Sequence, residues 1–95
     1  MVKAFIKRVV PREKSKEMIP LFRDMRTLAM EQPGYISGET LMNYNDPEEY
    51  LVISVWHTPE DWQRWLESQE RQQIQAQIDA LLGGKTEYSL YRPMV

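Results

Sequence analysis

Residues 50–56, YLVISVW, form a β-rich run with almost no alternation. Leu51, Val52, Ile53, Val55 and Trp56 are all apolar, and successive side chains of a strand point to opposite faces. Both faces of this strand are therefore expected to be buried. One layer of helices covers only one face of a sheet. The other face calls for a partner, and the sheet of an identical subunit is the economical candidate. The chain of 95 residues has room for one domain, 1–95. A domain this small buries only about 60–65% of its unfolded surface, so a partner that hides more apolar area would help considerably.

Working outward, Asn45-Asp46-Pro47 is a turn signal that joins this strand to residues 35–44 as an antiparallel hairpin. Gly38 interrupts the earlier strand and marks a bulge or a close backbone approach. Downstream, Thr58-Pro59-Glu60-Asp61 supplies an N-cap, a proline at the first helical position and acids in the first turn. Trp62, Trp65 and Leu66 share one helical face, whereas Ile74, Ile78, Leu81 and Leu82 form a second stripe. At 100° per residue the second stripe is rotated roughly 150° from the first. One straight helix cannot bury both, which predicts a break near Ser68-Gln69 and a second helix running to Gly83-Gly84. Residues 85–92, ended by Pro93, read as a closing strand.

Toward the N-terminus, residues 2–10 (VKAFIKRVV) form a strand stopped by Pro11. Its even positions are apolar except for Arg8. From Ser15 to Gln32 the period turns helical, with Met18, Leu21, Phe22, Met25, Leu28 and Ala29 on one stripe and Pro20 opposite it. Gln32-Pro33-Gly34 ends the helix, Gly34 being free to adopt positive φ. The elements run β-α-β-β-α-β with a split second helix. That is a ferredoxin-like α+β domain with a four-stranded antiparallel sheet.

The composition closes off several chemistries. There is no cysteine, which excludes disulfides, thiolate nucleophiles and cysteine-ligated metals. The single histidine, His57, cannot build a multi-histidine site, and Glu39, Asp46, Glu48 and Glu49 lack metal-loop spacing. No metal or other cofactor is expected. Lysines interrupt the N-terminal strand, no apolar run approaches a membrane span, and a cytoplasmic location is expected. The basic residues concentrate in 1–26 and the tryptophans lie in the acidic remainder, which argues against nucleic-acid binding.

The runs QPGYISGETL (32–41), DPEEYLVISVWHTPEDWQRWLES (46–68) and TEYSLY (86–91) closely resemble the antibiotic biosynthesis monooxygenase domain family. The resemblance spans nearly the whole chain, and its most specific parts are PGY-x-SGE at 33–39 and Trp56 followed by the capped helix with Trp65. It implies a dimeric α/β barrel of two sheets packed face to face. It also implies a functionally mixed group: cofactor-free oxygenases of phenolic polyketides, quinol oxidases, haem-degrading enzymes and members without known activity. The haem-degrading branch uses an Asn, a Trp and a haem-ligating His at positions that match Arg8, Trp65 and Gln75. Gln75 cannot replace an imidazole ligand, so haem degradation is disfavoured.

Arg8 stands out as a candidate. A lone guanidinium on an apolar strand face is costly unless paired or facing a cavity. It either stabilises an anion such as a phenolate, or forms a salt bridge, or reaches solvent on its long stem. Trp62 and Trp65 offer flat walls to an aromatic ligand, although tryptophans at helical spacing also serve as plain core. His57 has an unperturbed pKa of about 6.5, suited to a general base, and equally could staple the helix entrance against Trp62. Tyr44, Tyr88 and Tyr91 are candidate hydrogen-bond donors to a ligand. These residues suggest a homodimeric, cofactor-independent monooxygenase acting on an electron-rich aromatic, with a non-catalytic small-molecule binding module as the rival.

Overall fold

The computed structural model describes residues 1–95. Four strands, β1 (Val2–Val9), β2 (Tyr35–Met42), β3 (Glu49–Trp56) and β4 (Glu87–Tyr91), form one antiparallel sheet in the order β2-β3-β1-β4. Helices α1 (Ser15–Met30), α2 (Pro59–Glu67) and α3 (Gln69–Asp79) complete the chain. The arrangement is the expected ferredoxin-like α+β fold.

β1 is central and alternates strictly: Val2, Ala4, Ile6 and Arg8 are buried beneath the helices. Met18, Met25 and Ala29 of α1 join Trp56, Trp62, Trp65 and Ile78 in the core, and Pro20 lies on the exposed side of α1 as its phase requires. Gly34 has φ +86°, and a Cβ there would collide with the Asp61 side chain, so only glycine fits this turn. Its carbonyl accepts the His57 backbone N–H at 2.8 Å, which ties the end of α1 to the end of β3.

The helix break falls where the two stripes demand it. Ser68 is extended (φ −63°, ψ 144°) and its hydroxyl accepts the Arg71 N–H, capping α3 as α2 ends. Thr58 caps α2 in the same way by accepting the Asp61 N–H at 3.1 Å. Two boundaries and the place of the strand irregularity differ from expectation in ways that local contacts explain. α3 stops at Asp79 rather than Gly83, because the Gly83 N–H bonds the Val9 carbonyl and draws the chain toward β1. β2 ends at Met42, where the Asn43 side chain accepts the Asn45 N–H and starts the turn. The irregular pairing lies between Tyr35 and Ser37, whereas Gly38 marks the close approach: a Cβ there would sit 2.7 Å from the Tyr35 hydroxyl.

The sheet face away from the helices carries Lys3, Phe5 and Lys7 of β1 beside Val55, Ile53 and Leu51 of β3. The last three are half-buried. Lys7 lies 3.6 Å from Glu49 and 3.9 Å from Glu87.

Candidate functional site

β1 delivers Arg8 to the inner face at 2% exposure. A cavity of ≈ 50 Å³ lies between the sheet and α1/α2, walled by Arg8, Phe22, Met25, Tyr35, Val52 and Trp65 among others. Arg8 is neither in a salt bridge nor extended to solvent. Its NH2 donates instead to Gln75 Oε1 at 2.8 Å, the Met25 sulfur lies at 3.7 Å, and the guanidinium stands 5.4 Å from the Phe22 ring centroid. Its Nε has no partner. Burial above all, with Arg71 nearby, pulls the Arg8 guanidinium down to about 10, so it remains a cation at neutral pH.

α3 supplies what the sequence did not single out. Residues 69–77 read as a solvated glutamine face, yet Arg71 is 2% exposed and Gln75 is half-buried. Arg71 NH2 donates to the Tyr88 hydroxyl at 2.9 Å, its guanidinium lies 5.2 Å from the Tyr88 ring and 5.9 Å from the Trp62 ring, and its Nε is also unpartnered. Tyr88 donates to Gln75 Oε1 at 3.4 Å. The Gln75 amide nitrogen is held by Asp79 at 2.8 Å and Thr86 at 3.0 Å. A continuous polar chain, Arg8–Gln75–Tyr88–Arg71, thus runs from the cavity wall to β4. Arg71 lies three residues before Ile74 and seven before Ile78, on the inward stripe of α3, so the helical period carries the signal even though the residue type does not suggest burial.

The structure brings some of the candidates together and scatters others. Arg8 and Trp65 wall one cavity. Trp62 is buried among Trp56, Tyr88 and Arg71, a core position beside the polar chain rather than a wall of the cavity. His57 is exposed at the end of β3 and lines no part of the cavity. Tyr44 lies in the β2–β3 turn, 100% exposed. Tyr91 pairs with Lys3, so it points to the opposite face of the sheet, where its ring meets Phe5 edge-on at 5.1 Å. Of the three candidate tyrosines Tyr88 is the one on the inner face, since it lies three residues from Tyr91 in the two-residue period and meets Trp62 and Arg71.

The polar chain and cavity sit in a fold shared widely among solved structures. A conserved protein from Methanosarcina mazei Go1 superposes with a TM-score of 0.90 at 20% identity, covering 96% of this chain and 90% of that one. SnoaB, a cofactor-independent oxygenase from Streptomyces nogalater, superposes with a TM-score of 0.84 at 19% identity, covering 99% and 94%. A putative antibiotic biosynthesis monooxygenase from Nitrosomonas europaea gives 0.89 at 13% identity, covering 98% and 89%. No curated protein sequence matches the chain. The family model described as antibiotic biosynthesis monooxygenase matches residues 1–77, from β1 into α3. The chain therefore belongs to the antibiotic biosynthesis monooxygenase family.

Proposed function

We propose that the protein is a cofactor-independent oxygenase of an electron-rich aromatic, such as a quinol or polyphenol, and that it works as a homodimer. The observation that carries this reading is Arg8: a buried cation with an unpartnered Nε, walling an apolar cavity beside Trp65. Family membership supports the reaction class, and the oxygenase activity named for SnoaB is consistent with it.

In this mechanism Arg8 favours the deprotonated phenol, and the apolar walls exclude water. The phenolate passes one electron to O₂. The resulting aryloxyl radical and superoxide combine at a ring carbon that bears hydrogen, and the peroxide anion so formed takes up a proton to become the hydroperoxide. Loss of water then leaves a quinone, with one oxygen atom in the product and one in the water. Desolvation, orientation and charge stabilisation are the protein's share of the work. The cavity of ≈ 50 Å³ suits O₂ or a few waters. A single aromatic ring needs about 150 Å³, so an entering substrate displaces flexible lining side chains such as Met25.

Haem degradation is not supported by the local geometry, since the position corresponding to its histidine ligand is Gln75, whose amide is engaged by Arg8, Asp79 and Thr86. The test is oxygen uptake with a panel of quinols and naphthols, with haemin titrated in parallel. Substrate-dependent uptake above the autoxidation rate is expected, without a Soret shift. Binding of an aromatic with no uptake would leave a binding module, and a Soret shift would restore the haem reading.

A further inference from the structure

Two guanidinium groups are buried at 2% exposure on either side of one Gln75–Tyr88 pair, neither is ion-paired, and each keeps an Nε–H without a partner. Burying an ion without a counter-charge costs several kcal/mol even after relaxation, and a second like charge nearby adds to that cost. Neutral groups now fill the acceptor positions: the Gln75 carbonyl faces Arg8 and the Tyr88 hydroxyl faces Arg71, the two oxygens 3.4 Å apart. Outside them lies a groove bounded by Gln75, Asp79, Gly84, Lys85, Thr86 and Tyr88. Asp79 is the carboxylate of this region, and its contact is with the Gln75 amide rather than with either arginine.

We infer that this arrangement is a seat for two neighbouring oxyanions, so that the ligand is an aromatic carrying a carboxylate beside its phenolic oxygen. The inference rests on the reading that the space beside Arg8 receives an aromatic. The ligand enters by the groove between α3 and β4 and displaces the Gln75 carbonyl from Arg8 and the Tyr88 hydroxyl from Arg71. Its phenolate oxygen then meets Arg8 and its carboxylate meets Arg71, giving both buried cations a counter-charge. Arg71 thereby becomes the specificity determinant that separates acidic from neutral phenols.

The experiment compares 1-hydroxy-2-naphthoate with 1-naphthol, which differ only in the carboxylate, by calorimetric titration of the full chain. The acid is expected to bind at least about tenfold more tightly, the scale of one charge-assisted hydrogen bond. Arg71→Met should bring the ratio toward one, chiefly by weakening the acid. If that variant does not fold, Arg71→Gln, which keeps a donor for Tyr88, should do the same. Equal affinities in the natural protein, or a ratio that survives in the variant, would overturn the inference. Failure of both probes to bind would overturn it together with the aromatic reading. A carboxylate preference lost on substitution, with no oxygen uptake from any quinol, would leave this seat established and the oxygenase reading refuted.

Discussion

A guanidinium at 2% exposure with no ion-pair partner is an unusual investment for a 95-residue domain, because it adds desolvation without Coulombic return. This decides what substitution should do. Arg8→Met keeps most of the stem's packing and removes the charge. It strands no carboxylate, loses the contact over Phe22 and relieves the burial cost. Stability is therefore expected to change by less than about 1 kcal/mol, in contrast to the roughly 3–5 kcal/mol lost when a buried ion pair is broken. Affinity for a phenolic ligand should fall by about 1.5–3 kcal/mol, the worth of a hydrogen bond to a charged group. Denaturant melts and ligand titration on the same variant check both. A large loss of stability with unchanged affinity would show Arg8 to be structural. Arg8 was legible because one charge on an otherwise apolar alternating face is conspicuous. Arg71 lies on the Ile74/Ile78 stripe and its burial could be read from that phase, but a basic residue in a glutamine-rich helix looks like solvated surface. The directions of Tyr44, Tyr91 and His57 are not legible in the sequence, because residue type does not fix where a side chain points.

At the scale of elements, the strongest signals were those in which chain geometry left one solution. The rotation between the Trp62/Trp65 and Ile74/Ile78 stripes required a break, and Ser68 supplies it with an extended backbone and a cap. Boundaries set by tertiary contacts were less visible, such as the early end of α3 imposed by the Gly83–Val9 hydrogen bond. The cap of α2 offers a quantitative check. Thr58→Ala removes the acceptor for the Asp61 N–H and should cost about 1 kcal/mol at neutral pH. The Thr58 hydroxyl also donates to Asp61 Oδ2 at 2.9 Å, and this bond, ahead of Arg64, holds the Asp61 carboxyl below its ordinary value of 3.8. A carboxyl whose folded pKa is depressed stabilises the fold above its unfolded pKa, and that contribution is lost as pH falls through the folded value. The stability gap between the natural protein and Thr58→Ala should accordingly narrow once the pH drops below 3.8. Chemical unfolding at neutral and acidic pH measures it. A gap that widens on acidification would contradict the role given to the Thr58–Asp61 pair.

For the whole molecule the open sheet face is the feature left without a covering layer. The unalternating strand at 51–56 anticipated it: Ser54 and Trp56 of β3 face the helices, while Leu51, Ile53 and Val55 stand on the far side next to Phe5. A second copy laid face to face would bury these residues, and of the charges flanking them Lys7 is already compensated by Glu49 and Glu87, while Lys3 stands at the rim of the patch. Isologous pairing is the simplest way for one apolar patch to cover itself. We expect the protein to sediment at micromolar concentration as a dimer, at twice the 11.3 kDa of the chain. Ile53→Lys, at the centre of the patch and paired with Phe5 in the sheet, would place two like charges in the dry interface, one from each subunit. It should yield monomer or unfolded chain, whereas Tyr44→Ser, in the fully exposed β2–β3 turn, serves as the comparison at a residue unconnected to the patch. A single domain of this size leaves much apolar surface unburied, so loss of the dimer should also lower the midpoint of thermal unfolding and make it independent of protein concentration. A well-folded 11.3 kDa monomer in the natural protein, with a melting point indifferent to dilution, would defeat the argument from β3 at its root.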